Sequence, residues 1–230
     1  MKIVKLSQTS DTEAWLQARL GKITGSKARK VKPLSRGADR TPQGFWQLLA
    51  EKLAQVEDGE TDIDRGHRLQ GVALAELAKR YKLDVDTDCG MWISDDDEDI
   101  AVSPDGAEKG DKPTWAAETK CFSSANHLKF VIKDRAVRKE KDYNPIDSVP
   151  NDAYNAHREQ VIQYFVVNEN LKTLYFVLYD DRIGLDHLVF HAVVISRSDI
   201  ADEINAQKEQ QVDVLRQVNE LIAQLAKEKK

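Results

Sequence analysis

Ser103-Pro104-Asp105-Gly106, then Thr114-Trp115-Ala116-Ala117-Glu118-Thr119-Lys120-Cys121-Phe122, is the stretch on which the reading of this chain turns. The second segment is predicted to be a strand over 114–122. Side chains two apart on a strand share a face. Glu118 and Lys120 therefore project together, and Ala117, Thr119 and Cys121 project the other way. A second strand is expected over 100–104, with Asp105-Gly106 as the turn that follows it. If those two strands are neighbours in a hairpin, Asp105 comes beside Glu118. Two carboxylates then converge with an ammonium next to them.

Phosphodiester hydrolysis is a reaction that needs such a set. Mg²⁺ takes hard oxygen ligands, one or two carboxylates with waters and substrate phosphate. The metal polarises the phosphate and lowers the pKa of bound water. A neighbouring lysine orients that water or offsets charge building on the phosphate. Glu-x-Lys alone is weak in a chain so rich in both residues, and Asp-Gly alone is an ordinary turn. The pairing, with an apolar strand-like lead-in to each, is more specific.

Outward from this centre, helices come first and last. A short helix is expected over 11–20, and Ser26 can cap a second. Thr41-Pro42 makes a helix start, followed by an apolar stripe of Phe45, Leu48, Leu49 and Leu53. A helix over about 64–81 carries Leu69, Ala73, Leu77 and Tyr81 at spacings of four. Strands are expected over 85–93, 173–179 and 188–195. Ser123 or Ser124 caps a helix to about Lys133, and 154–167 reads as another. Ser198 caps a long C-terminal helix at about 198–229. Loops are expected over 33–41 and 137–150. Helices flanking central strands give an α/β (α+β) fold with a mixed sheet, as one domain over 1–230.

Composition narrows the function. The chain has 230 residues, 41% apolar and 32% charged, with a net charge of -5. It is a folded protein without a general basic coat, so a nucleic-acid binder of this balance concentrates its positive charge on one face. The stretch Arg19, Lys22, Lys27, Arg29, Lys30, Lys32, Arg36, Arg40, broken only by Asp39, is the candidate phosphate track. A more diluted one is Lys129, Lys133, Arg135, Arg138, Lys139, Lys141. The acidic run 95–99 reads as a solvated turn. His187 and His191, about 13 Å apart on one strand face, are too far apart for one ion. Trp46, Trp92 and Trp115 are expected in the core or an interface. Cys89 and Cys121 form no CxxC, so neither a disulfide framework nor a thiolate zinc site is expected. No P-loop or dinucleotide fingerprint is present, so no nucleotide cofactor is expected. The opening residues carry no long apolar run, and no segment is long enough to span a bilayer. A soluble cytoplasmic protein is expected.

Pro104-Asp105 followed by Glu118-x-Lys120 resembles the PD-(D/E)xK nuclease superfamily. More narrowly, the chain resembles the lambda-exonuclease-like viral recombination exonucleases of the YqaJ type. Trp15 followed by Arg19-Leu20-Gly21-Lys22-Ile23-Thr24-Gly25-Ser26 is similar to that family's N-terminal signature. Ser103-Pro104-Asp105-Gly106 and Glu118-Thr119-Lys120-Cys121 are similar to its metal motifs, and Gln160-Val161-Ile162-Gln163-Tyr164 to its later helix motif. The likeness runs in the family's order from about Trp15 to Ile195.

The resemblance implies a restriction-endonuclease-like core with Asp105 and Glu118 as metal ligands and Lys120 as the catalytic lysine. It puts Asp95 where the family has a further acid near the metals. Arg19, Ser26, Ser103 and Gln160 fall where the family binds a terminal 5′-phosphate, a role that fits their donor chemistry. It implies Mg²⁺, with Mn²⁺ able to substitute, and 5′-to-3′ digestion of linear duplex DNA to 3′ single-stranded tails. It also implies a ring-shaped homotrimer, a single-strand annealing partner and a phage or prophage origin in a bacterial host. One position departs. The family carries a glutamate four residues after a helix glycine, and here Gly66 leads to Gln70, whose amide oxygen can ligate but brings no charge. Two rivals follow: an endonuclease of the same superfamily, and a DNA-end-binding protein with a weakened site.

Overall fold

Residues 115–120 do form the central strand. A computed structural model describes residues 46, 49–50, 52–53, 62–97, 99–152 and 155–227. The expectations for the helix over 11–20, for Ser26 and Arg19, and for the basic stretch from Arg19 to Arg40 lie outside the described residues. Among the described residues the order is α1 (Asp62–Tyr81), β1 (Val85–Asp86), β2 (Trp92–Ile93), β3 (Ala101–Val102), β4 (Gly106–Glu108), β5 (Trp115–Lys120) and α2 (Ser124–Val137). A 3₁₀ turn at Pro145–Ser148 follows, then β6 (Asn151–Asp152), β7 (Asn155–Ala156), α3 (Arg158–Val167), β8 (Thr173–Tyr179), α4 (Asp186–Val189), β9 (Phe190–Ser196) and α5 (Ala201–Lys227).

The main sheet has the order β1-β4-β5-β8-β9 among the described residues. Only β5 and β8 run parallel, with Glu118 opposite Phe176. The α/β expectation with a mixed sheet is therefore met. The two-residue period of the strands sorts side chains between two layers. Ala117, Cys121, Val177 and Tyr179 meet Leu69, Ala73, Leu74 and Leu77 of α1. Ala116, Leu174, Phe176 and Leu178 meet Leu128 and Val131 of α2 and Val161, Ile162 and Phe165 of α3. Trp46 and Ala50 join this second cluster. Both faces of β5 are covered, which matches its apolar Trp115-Ala116-Ala117 start before Glu-x-Lys.

Three expectations are corrected. The segment 85–93 is not one strand: β1 pairs with β4, and β2 pairs with β3 in a separate two-stranded sheet. Gly90, at φ 62°, allows the change of course between them. The hairpin partner of β5 is not 100–104 but β4, with Gly106 opposite Ala117. Pro104 has no N–H for a ladder, so pairing starts after it. Gly106 is thus a strand residue at a close approach, where a Cβ would stand 2.8 Å from Val85 Cγ1 and 3.0 Å from Leu74 Cδ2. Glu108 closes the hairpin by accepting from Thr114 N at 2.6 Å and Thr114 Oγ1 at 2.7 Å. Finally, Ser196 and not Ser198 caps the C-terminal segment, in a capping box with Asp199.

Two arginines of the second basic run are tied to the fold. Arg135 donates to the carbonyl of His187 at 2.6 Å, and Arg138 to that of Ala192 at 2.7 Å. His191 is buried with Nε2 2.5 Å from Asp134 Oδ2, a contact that ties β9 to α2. No helix among the described residues is long and apolar enough to cross a membrane.

Candidate active site

The antiparallel register of β4 and β5 does the first part of the assembly. Gly106 faces Ala117, so one further step brings Asp105 opposite Glu118. Asp105 N donates to Ala117 O at 3.1 Å, which carries the ladder to that point. The Asp105 carboxylate is then fixed by its neighbour. Thr119 N and Thr119 Oγ1 both donate to Asp105 Oδ2 at 2.7 Å. Among the described residues Oδ1 accepts no hydrogen bond.

Glu118 is only 3% exposed and is surrounded by donors. Lys120 Nζ lies 2.6 Å from Oε1, as their shared strand face requires. Gln160 Nε2 donates to the same oxygen at 2.9 Å. Tyr164 OH meets Oε2 and also lies 3.0 Å from the carbonyl oxygen of Ser103. Gln160 and Tyr164 are four apart on α3 and so share the helix face turned to the sheet. Burial raises the Glu118 pKa first, and the charge of Asp105 raises it further, against the opposing pull of Lys120. Burial and the adjacent Glu118 push the Tyr164 hydroxyl far above its ordinary range, so it acts as a donor.

The structure thus brings together Asp105, Glu118, Lys120 and Gln160, with the backbone of Ser103 beside them. The Ser103 residue itself is exposed. Gln70 is on α1, across the sheet. It lies between Arg65, whose side chain reaches Cys121 O and Phe122 O at the end of β5, and Leu74, which lies against Gly106. Gln70 is half-buried and makes no hydrogen bond among the described residues. Asp95 is not brought to this group. It follows β2, outside the main sheet, and lines a cleft of about 450 Å³ with Asp111, Lys112, Pro113 and Asn168. That cleft is at the entry of β5, while Glu118 and Lys120 are at its exit.

Thr119 and Tyr164 contact this group as well, and neither was expected there. Tyr164 was legible from its four-residue spacing to Gln160. Thr119 was not, because strand alternation assigns its side chain to the opposite face, where Asp105 meets it from the strand end. His157, before α3, sits with its ring 5.5 Å from Phe122 and 6.0 Å from Phe176.

A divalent cation fits the donor set. A carboxylate offers about four lone-pair sites. Glu118 uses three on Lys120, Gln160 and Tyr164, and Asp105 uses two on Thr119, which leaves sites on both residues. A buried Glu118 and a half-buried Asp105 with one lysine also carry an excess of negative charge that a cation relieves. Among the described residues no group of three or more His, Cys, Asp or Glu is placed to hold one ion. Two carboxylates suffice for Mg²⁺ completed by water and phosphate.

A mixed sheet with a hairpin that sets Asp beside Glu-x-Lys, covered by helices on both faces, is the PD-(D/E)xK, restriction-endonuclease-like class of fold. Within it, the chain belongs to the family described as the YqaJ-like viral recombinase domain, which residues 14–163 match. The crystal structure of an alkaline exonuclease (LHK-Exo) from Laribacter hongkongensis is similar. The likeness has a TM-score of 0.53 and 22% identity, covering 95% of this chain and 100% of that one. A structure of LHK-Exo in complex with dAMP matches with a TM-score of 0.50 and 25% identity, over 94% of this chain and 99% of that one. No curated protein matches the sequence.

Proposed function

We propose that this protein is a Mg²⁺-dependent exodeoxyribonuclease that degrades the 5′-ended strand of linear duplex DNA and leaves 3′ single-stranded tails for recombination. The observation that carries the reading is the meeting of Asp105, Glu118 and Lys120 at the exit of β5, in a member of a viral recombinase family. The similar LHK-Exo is an exonuclease, and its complex with dAMP holds a deoxynucleoside monophosphate, the kind of product that stepwise DNA digestion releases.

Asp105 and Glu118 would hold the metal, with the Gln70 amide oxygen as a neutral third donor. When bound, Mg²⁺ supplies positive charge to the scissile phosphate and acidifies water. Thr119 holds one Asp105 oxygen, which leaves the other to ligate. Tyr164 and Gln160 fix the Glu118 carboxylate. Lys120 orients the attacking water and donates to the oxygens on which charge develops. Arg19, Ser26, Ser103 and Gln160 form the 5′-phosphate pocket. An amide nitrogen carries two N–H donors, so Gln160 can serve Glu118 and a phosphate together. Asp95, placed at the far end of β5, takes no part in this mechanism. A single nuclease domain over 1–230, a trimeric ring around DNA, an annealing partner and a place in the host cytoplasm complete the reading.

Gln70, neutral where the family has an acid, favours a second reading as an end-binding protein with weakened chemistry. One experiment separates these readings. Linear duplex DNA with 5′-phosphate or 5′-hydroxyl ends, and closed circular DNA, are incubated with Mg²⁺ or Mn²⁺ and either wild type or K120A. Faster loss of the phosphorylated linear DNA, with circles intact and K120A inert, is the expected result. Cut circles would turn the reading to an endonuclease. End binding without cleavage in either metal would leave the second reading.

A further inference from the structure

Beyond Lys120, which pairs with Leu178, β5 leaves the ladder. The next carbonyls, of Cys121 and Phe122, need other partners, as buried backbone groups do. One side chain supplies both. Arg65 Nη1 donates to Cys121 O at 3.1 Å and to Phe122 O at 2.7 Å. The other arm of the same guanidinium, Nη2, donates to Asp180 Oδ1 at 2.5 Å, just past the end of β8. Arg65 and Asp180 are both 0% exposed. Asp180 Oδ1 is itself held by Arg182 N and Nε, each at 3.1 Å.

A guanidinium is a rigid plate with donors at fixed angles. It therefore sets the exit of β5 at a fixed distance from the end of β8, and ties both to the first turns of α1. As a source of stability such a buried ion pair is weak, because desolvation offsets most of the attraction. Its geometric effect is specific. The residues it anchors directly follow Lys120, the last β5 residue paired with β8, and so bear on how that strand end is held. Gln70 is five residues beyond Arg65 on the same helix.

We propose that Arg65, held by Asp180, is a positioning residue for the Glu118–Lys120 pair. It fixes the exit of β5 so that Lys120 Nζ stays on Glu118 Oε1, while touching neither substrate nor reacting atoms. The proposal rests on the nuclease reading above. Two full-length variants test it. R65K keeps a cation beside Asp180, but a compact ammonium cannot span two carbonyls and a carboxylate. R65M/D180N removes both charges together and keeps at position 180 a side-chain oxygen that can accept from Arg182 N and Nε.

For both variants and the wild type, thermal melts and the kcat and KM for phosphorylated duplex ends are measured in Mg²⁺. Both variants are expected to melt cooperatively, with KM unchanged and kcat lower by about 10²-fold, the effect of a displacement of about 1 Å at a reacting centre. A folded variant with wild-type kcat, or a loss confined to KM, overturns the proposal. Failure of both variants to fold also overturns it, because the pair would then serve the fold and not the site. A wild type inert on every DNA would instead sink the nuclease reading, and this proposal with it.

Discussion

Y164F is the cleanest perturbation of the site. It removes one hydroxyl and leaves the ring, which packs edge-on to Trp92 at 6.5 Å, so the core keeps its shape. That hydroxyl donates to Oε2 of a glutamate only 3% exposed to solvent. A hydrogen bond to a charged group contributes about 1.5–3 kcal/mol. No water-rich surface is at hand to replace it. If the bond keeps Glu118 ionised and oriented, its loss lowers the cleavage rate by roughly 10- to 150-fold at about 1.4 kcal/mol per tenfold. The sign of the pH effect follows from the same contact. Burial and Asp105 already raise the Glu118 pKa, and Tyr164 opposes them. Without the hydroxyl the acid limb of the rate profile moves to higher pH, and the deficit is largest at low pH. Single-turnover digestion of phosphorylated linear duplex across the pH range, beside a thermal melt, measures both. A Y164F variant with the wild-type rate and an unmoved acid limb would refute the reasoning.

Other predictions are as direct. Q70E restores an acid on α1 and should lower the Mg²⁺ concentration for half-maximal cleavage by about tenfold, the scale on which groups around a metal act; a metal titration with unchanged midpoint would count against Gln70 lying at the metal. G106A puts a Cβ 2.8 Å from Val85 Cγ1 and should cost about 1–3 kcal/mol, read as a lower melting temperature; an unchanged melt would mean that α1 and β1 yield there freely. Buried His127 donates from Nε2 to Leu188 O at 2.7 Å, and burial holds its pKa down to about 4. The unfolded chain takes up this proton first, near about 6.5. Stability is therefore full above that pH and is lost as pH falls toward 4, by roughly 3 kcal/mol in all. Urea midpoints of H127Q should show a flatter slope over this window, and an identical slope to wild type would assign the acid sensitivity elsewhere.

Much of the fold was legible from periodicity. Leu69, Ala73 and Leu77, spaced by four, are all buried on α1, although Tyr81 at the end of that stripe is exposed. The strands around Glu118 and Phe176 were found close to their observed bounds, because apolar runs flanked by polar turns act locally. The pairing of Glu118 with Lys120 followed from strand alternation alone. The placement of Asp105 beside Glu118 was reached through a different hairpin partner from the one that forms. Residues 100–104 are as strand-like as 106–108, and pairing was decided by the missing N–H of Pro104 and the close approach of α1 at Gly106.

What the chain determines by itself is thus what depends on neighbours in sequence: the strand that carries Glu-x-Lys, the helix face that carries Gln160 and Tyr164, and the family pattern that links them. The tertiary structure alone decided what depends on closure between distant segments. It set Asp95 at the far end of β5, because β2 and β3 form a sheet of their own. It turned Thr119 toward Asp105, and it joined Arg65 to Asp180 across 115 positions. Local periodicity states which face a side chain takes. It does not state which distant backbone arrives there, since that is settled by the packing of whole layers against one another.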